Sequence, residues 1–428
     1  MQTNVVFIHG NPGSREIFSK FQAYNLNAIF IDLPGLGYST EEPPTNLSAL
    51  FESCERQILD FVNKNDEIWF ISHDWGVPVA VAIASKHSKK VRGFIIFNTA
   101  LGEFESLPAW LRFFKGRRAL GPVFLALSAL FGTLKDRFTI LKPYLNKNVF
   151  NIPLYINLIP FTEPERVIDI HKKALTENIF EKDCLIIWGA KDPCLNTFFL
   201  ADVFSRFKNS KVVLISRSHF APSNLETQEV DLVVNFLRGR KLSNDSPLIE
   251  RLDETIRQNS SRTALFQVEG KEITPVSFKE INALAYKFQA ELKSLNLRKK
   301  LVLFAFRNWK QFVSLFVACL REKCIPVLID PKIELSLLLK GLRYLPSFSS
   351  VSSPGASLIL AALPFQGRRV TIFRGRLFGP NTGPETEIEN CAFVAFTSGG
   401  TGVPKPVMFT EEMILSQMDI FSKRLNMV

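Results

Sequence analysis

Along the first 240 residues, short runs of β-branched and aromatic residues alternate with longer stretches whose apolar side chains recur at helical spacing. The runs are VVFIH (5–9), AIFIDL (28–33), IWFISH (68–73), GFIIFNT (93–99), CLIIWG (184–189) and KVVLIS (211–216). Strands alternating with amphipathic helices predict an α/β fold, a parallel sheet covered by helices on both faces. Each run ends where a loop rich in Gly, Asn, Asp or Ser begins, and in such sheets chemistry gathers at the carboxyl ends of the strands. Between GFIIFNT and CLIIWG lies an inserted segment, about residues 102–180, with helical periodicity and many large apolar side chains, including LPAWLRFFKGRRALGPVFLALSALFG and NIPLYINLIPF. It predicts a helical lid. The polar, basic stretch RGRKLSNDSP (238–247) then interrupts the pattern. It predicts a linker at 241–247, with one domain at 1–240 and a second at 248–428.

Composition narrows the picture only in places. With 428 residues, 46% hydrophobic and 22% charged, the chain has the balance of a folded globular protein with room for more than one core. The net charge of +11 is spread along the chain rather than blocked, which argues against nucleic acid as a partner. Cys54, Cys184, Cys194, Cys319, Cys324 and Cys391 form no CxxC pair and no disulfide framework, so no metal site is expected and a reducing, cytoplasmic setting is. The N-terminal MQTNVVFIHG runs straight into a strand without a basic leader and apolar signal core. The longest apolar run, Leu120–Gly132, is too short to span a bilayer, though it could lie against a membrane or line a greasy pocket.

The strongest chemical signal is Ser72-His73-Asp74-Trp75-Gly76, where a strand meets a sharp turn and the helical stretch VPVAVAIASKH follows. Small neighbours let such an elbow hold its central side chain exposed above the sheet, and here that side chain is Asp74. A carboxylate needs no base to act as a nucleophile and gives a covalent ester or anhydride. The same aspartate could simply cap the helix. The company it keeps favours chemistry. His9-Gly10-Asn11-Pro12 follows the first strand, where donors for a developing negative charge are placed, and Asn11 and the Trp75 indole can both donate toward a leaving group. Asp192 follows CLIIWG and His219 follows KVVLIS, giving the order nucleophile, acid, histidine. His219 would activate water and Asp192 would hold its ring. His73, expected to point away from the nucleophile, and His87 and His171 read as structural. A lid this greasy suits a long-chain hydrophobic substrate, although the same residues could serve only to pack the lid.

HGNP, HDWG, FNTA and WGAKDPC resemble the haloalkane dehalogenase and epoxide hydrolase branch of the α/β-hydrolase fold. Within that branch they most resemble the β-lactone decarboxylases of bacterial long-chain olefin biosynthesis, which match also around LPAWLR and NIPLYINLIPF. The resemblance runs from Val5 to about Leu237 and implies an Asp-nucleophile hydrolase that needs no cofactor. Ser72, Val77 and Ser218 depart from the common pattern. So does the start of the chain, since relatives carry strands ahead of the HGNP strand.

The second half resembles, in PLIERLDETIRQNSSRTALF, PVSFKEINALAYKFQAELKSL and CLREKCIPVLIDP, the opening of AMP-forming acyl-activating ligases. In AFTSGGTGVPKPVMF, Thr397, Ser398 and Thr401 offer hydroxyl donors, Gly399, Gly400 and Gly402 let backbone amides close on phosphate oxygens, and Lys405 adds charge. A Gly/Ser/Thr run is often just a loop, but the strand before it and the matching upstream segments favour a phosphate loop. Gly400 and Pro406 depart from the family pattern. The resemblance implies ATP and Mg2+ for a complete ligase domain and a β-lactone synthetase as its model. Together the halves are similar to a fused olefin-biosynthesis enzyme, shortened at both ends, with other enzymes of that biosynthesis as possible assembly partners and the membrane surface as a possible peripheral contact. A haloalkane dehalogenase or epoxide hydrolase activity, or a decayed non-catalytic fragment, are the alternatives.

Overall fold

The computed structural model describes residues 2–102, 106–130, 140–144, 147–159, 172–240, 246–270, 272–305, 308–329, 349–352, 369–373, 376–378, 390–397 and 403–424, with isolated positions between 336 and 345. By its internal contacts the chain divides into two compact units, Met1–Ser243 and Asn244–Val428.

The first unit is built on six parallel strands: β1 (Thr3–Ile8), β2 (Leu26–Ile31), β3 (Ile68–His73), β4 (Val91–Phe97), β5 (Asp183–Gly189) and β6 (Ser210–Ile215). Their order, β2-β1-β3-β4-β5-β6, means that the chain leaves β1 toward one edge and returns to its other side. That reversal leaves a crevice between the carboxyl ends of β1 and β3, where open sheets bind their ligands. The six runs predicted from the sequence are these six strands, and they form the predicted parallel sheet with helices on its faces.

Alternate side chains of the strands fill one face of the sheet. Phe7, Trp69, Ile95 and Leu185 pack there against Phe18, Phe21 and Val233, and Phe7 stacks on Phe30 with ring centroids 4.2 Å apart. Flanking helices are α1 (Leu47–Lys64) and α2 (Gly76–Lys86). The segment between β4 and β5 contributes α3 (Ala109–Phe113), α4 (Gly121–Leu130) and α5 (Ile152–Asn157). Next come α6 (Thr197–Arg206) and α7 (Thr227–Leu237). Asn46 and Asn196 cap α1 and α6 by accepting from Ala49 and Phe198 amides, so both helices start where a polar side chain replaces a missing helical partner.

The lid is pinned to the body by polar side chains. The Tyr144 hydroxyl donates to the Gly13 carbonyl at 2.8 Å and accepts from the Gly13 amide at 2.9 Å. The Tyr155 hydroxyl donates to the Pro34 carbonyl at 2.8 Å, and the Asn151 amide to the Gly35 carbonyl at 3.0 Å.

In the second unit, β7 (Thr263–Glu269) and β8 (Glu272–Ser277) form a hairpin. A second sheet comprises β9 (Leu301–Ala305), β10 (Ile325–Leu328), β11 (Ser349–Ser352), β12 (Arg369–Phe373), β13 (Arg376–Phe378), β14 (Phe393–Phe396) and β15 (Pro406–Phe409). Their order is β13-β12-β11-β9-β10-β14-β15, parallel inside with an antiparallel pair at each edge. Its helices are α8 (Pro247–Gln258), α9 (Phe278–Ser294), α10 (Trp309–Glu322) and α11 (Glu411–Arg424). A reciprocal capping box between Ser277 and Glu280 starts α9. Among the described residues no helix is long and apolar enough to cross a membrane. The six cysteines carry free thiols, Cys194 and Cys391 being only partly buried.

Candidate active site

Asp74 sits directly after β3 in the left-handed backbone region, φ 48°, which non-glycine residues rarely occupy. The surroundings hold it there. Its amide donates to the Asn98 carbonyl at 3.1 Å, and its carbonyl accepts from Val77 and from the Thr99 hydroxyl, at 3.1 and 2.9 Å. Glycine at two positions makes the turn possible. A Cβ on Gly76 would stand 2.1 Å from the Ile8 carbonyl oxygen, and one on Gly10 would stand 2.4 Å from the Asp74 Cβ.

The elbow delivers the Asp74 carboxylate to the loop after β1. The Asn11 amide donates to its Oδ2 at 2.9 Å and the Trp75 amide also donates to it. Burial raises its pKa, while the charge of His219 and these two amides pull the other way; the net direction is upward.

Asp192 and His219, on the loops after β5 and β6, come together: His219 Nδ1 lies 2.7 Å from Asp192 Oδ2. Asp192 is fixed on its other side, its Oδ1 accepting from the amides of Cys194 at 2.7 Å and Leu195 at 2.9 Å. Burial pushes the His219 imidazole down, but the charge and hydrogen bond of Asp192 and the charge of Asp74 outweigh it and push the pKa up to about 9. With Nδ1 on the carboxylate, Nε2 is left for the cavity.

Two residues outside the sequence expectation complete this arrangement. Asn98, fully buried at the end of β4, donates to Asp192 Oδ2 at 2.7 Å and accepts from the Gly189 amide at 2.7 Å, so it sets where the β5 loop begins. FNTA carried resemblance, but nothing local marked its Asn as a brace. His73 departs from expectation: instead of pointing away, its ring lies 4.8 Å from that of His219, and its Nε2 donates to the His219 carbonyl at 2.9 Å. Burial first, then the charge of His219, hold His73 well below the usual histidine range, so it stands as a neutral donor under a charged neighbour. His87 pairs with Glu55 at 2.8 Å beyond the end of α2, and His171 lies outside the described residues.

Asn11, Asp74, Trp75 and His219 line one apolar cavity with lid residues such as Trp110 and Phe124. The Asn11 side-chain amide donates to the Ile152 carbonyl at 3.2 Å, which leaves one N–H, and the Trp75 ring meets Tyr155 edge-on at 5.9 Å. Tyr144 and Tyr155 are not among the lining residues, and both hydroxyls are spent on backbone carbonyls.

In the second unit the segment that the sequence marks as a candidate phosphate loop connects β14 to β15. Thr397 and Lys405 face each other across it, with the Thr397 amide donating to the Lys405 carbonyl at 3.0 Å and Lys405 exposed. Ser398, Gly399, Gly400, Thr401 and Gly402 lie outside the described residues. Among the described residues no group of three His, Cys, Asp or Glu side chains could hold a metal ion.

The family model described as alpha/beta hydrolase fold matches residues 3–222. Among curated proteins, the chain is 25% identical over 165 residues to the proline iminopeptidase of Saccharolobus solfataricus, covering 37% of this chain and 48% of that one. It is 29% identical over 134 residues to the olefin beta-lactone synthetase of Stenotrophomonas maltophilia, covering 27% of this chain and 24% of that one. The chain thus spans about half or less of the length of these curated relatives. Among solved structures, a haloalkane dehalogenase variant from Bradyrhizobium elkanii is 16% identical, with a TM-score of 0.45 over 56% of this chain and 89% of that one. A mutant haloalkane dehalogenase from Agrobacterium tumefaciens is 18% identical, with a TM-score of 0.46 over 55% of this chain and 90% of that one.

Proposed function

The chain belongs to the alpha/beta hydrolase fold family, and on that premise we propose that its first unit is an enzyme in which Asp74 attacks a hydrophobic, long-chain electrophile. The carrying observation is the Asp74 carboxylate at the elbow, in one apolar cavity with His219, which Asp192 holds at 2.7 Å. Asn11 and Trp75 line the same cavity and would donate to the charge that leaves. Asp74 is a nucleophile as it stands. His219 is not yet a base, because its pKa is about 9 while Asp74 is charged. Once Asp74 becomes an ester its charge is gone, the imidazolium loses one of its supports, and the ring can give up its proton, which serves the water wherever the adduct needs hydrolysis, as it does after loss of a halide.

For the substrate we favour a long-chain β-lactone. Attack of Asp74 on the ring carbon that bears the oxygen breaks the strained C–O bond and leaves an alkyl ester with a free carboxylate. That carboxylate departs as carbon dioxide, its electron pair forms the alkene, and the bond to Asp74 breaks to restore the starting carboxylate, with no water consumed. The similarity to an olefin beta-lactone synthetase supports this choice, as does the apolar lining. Epoxide opening is disfavoured because it needs an acidic hydroxyl at the opening oxygen, and Tyr144 and Tyr155 donate elsewhere. An alkyl halide remains the second reading, since Asn11 and Trp75 beside Asp74 would serve a halide equally well.

In the second unit we read Thr397, Lys405 and the segment between them as the part that meets nucleotide phosphates, as in an acyl-activating ligase. A Lys405→Ala variant should lose ATP binding if that reading holds.

The deciding experiment for the first unit is gas chromatography of parallel incubations with a long-chain cis-β-lactone and a short bromoalkane. Alkene from the lactone is expected. Bromide release without alkene would transfer the assignment to dehalogenation, and neither product from folded protein would remove both readings.

A further inference from the structure

Helix α4 is apolar on both of its faces. Phe124, Leu125, Ser128 and Ala129 are buried, and Phe124 and Ser128 line the cavity. On the outer side Val123, Leu127 and Leu130 are 49, 37 and 61% exposed, and Phe113 at the end of α3 is 56% exposed. A helix on the surface of a soluble body ordinarily turns a polar face outward, and Gly121–Leu130 contains no charged residue. Among the described residues of this stretch the charges beside the apolar surface are all basic. Arg112, Lys115, Arg117 and Arg118 are all exposed, and Ser106–Leu130 contains no acidic residue. Arg118 is held by Asn151 Oδ1 at 3.0 Å, and the Arg117 guanidinium lies 4.4 Å from the centre of the Phe113 ring. An exposed aromatic ring and an exposed cation are thereby kept together.

We propose that the outer face of α3 and α4 docks on the surface of a bilayer that carries anionic lipid. The exposed Leu, Val and Phe side chains would enter the acyl boundary while the arginines and lysine meet phosphate headgroups, the division of labour of an interfacial helix. At ten residues α4 lies on the membrane rather than through it. Docking does not depend on the reaction assigned to Asp74. It does place the inner side of the same helices, which lines the cavity, next to a phase in which long-chain molecules dissolve.

The test is sedimentation of the full chain with vesicles of phosphatidylcholine alone and of phosphatidylcholine mixed with phosphatidylglycerol, at low and high salt. Binding to the mixed vesicles, weakened by salt, is expected. The pair Leu127→Glu with Leu130→Glu, and separately Arg112→Glu with Arg117→Glu, should each lower partitioning on the order of tenfold or more. The Asp74→Ala protein should sediment like the unmodified chain, which separates docking from chemistry. Leu130→Trp, a substitution of one apolar group by another, should add indole emission that shifts to the blue when mixed vesicles are supplied. Unmodified protein that stays in the supernatant, binding indifferent to both pairs, or added emission from the Leu130→Trp protein that does not shift would overturn the proposal. So would a lipid-free dimer in sedimentation velocity that the Leu127→Glu, Leu130→Glu pair dissolves, because the face would then belong to a second copy.

Discussion

The floor beneath the cavity and the roof above it are made of opposite materials. Asp74, Asp192 and His219 are held by short polar contacts that leave each side chain one position, with Asn98 and His73 bracing from below. The roof is fastened to the body by polar side chains away from the cavity lining, but over the cavity itself it is apolar packing on the inner side of α4, where several side chains share the work. Polar networks fix geometry and fail sharply when one member is lost, whereas apolar linings trade neighbours at modest cost. Reacting groups need the first property, and a chain-shaped substrate needs the second.

Substitutions at the floor should therefore outweigh those in the roof. The largest loss is expected for Asp74→Ala, with turnover down on the order of 10⁴-fold or more and the fold unchanged by circular dichroism. Persisting turnover would show that the floor does not supply the nucleophile. His219→Gln should cost on the order of 10² to 10⁴ in rate with a bromoalkane, and intact mass should show an adduct on the peptide containing Asp74. An adduct-free, slow variant would mean that His219 acts before the attack. For Asn98→Ala we expect a stability loss of roughly 3 kcal/mol in urea unfolding, because the Gly189 amide and Asp192 Oδ2 both lose a buried partner.

The histidine also makes the floor sensitive to pH. Its folded pKa, about 9, stands above the ordinary 6.5, so its contribution is fully present below about pH 6.5 and is lost as pH rises through 9. The change should be on the order of 3 kcal/mol across that window, and unfolding curves of His219→Gln should show it flattened. The smallest effect belongs to the roof. Leu111→Ala, at the cavity lining, should raise KM for a long-chain substrate by roughly three- to tenfold and leave kcat nearly unchanged. A kcat loss as large as that of His219→Gln would erase the distinction between floor and roof.

The same contrast explains what could be read from the sequence. The six strands were legible because each run is apolar and closes on a loop-forming residue, and Asp74 was conspicuous because small residues, Ser72 and Gly76, stand two positions to either side of it. What braces the floor was not legible. Asn98 meets Asp192 across 94 residues and His73 meets His219 across 146, and no spacing within either segment announces such a pair. In the roof the limit is of another kind. Periodicity finds the buried face of a helix by contrast with a polar one, and α4 offers no contrast, so Val123, Leu127 and Leu130 look like core until their exposure is seen. Tyr144 and Tyr155 were legible as hydroxyls but not as fastenings, since their acceptors lie 131 and 121 residues away.

Those two fastenings have a mechanical consequence. Tyr144 is bolted to Gly13 and Tyr155 to Pro34, so this part of the cover is expected to stay put as a post. Gly13 belongs to the loop that carries Asn11, and lifting the post would drag Asn11, whose amide holds the Asp74 carboxylate, out of register with it. Travel is cheaper where the cover meets the cavity through α3 and α4, since the inner side chains there are apolar and can slide. The aperture for a bulky guest is thus expected at the greasy end, and clamping Tyr144 in place with a crosslink should leave the rate of admission untouched.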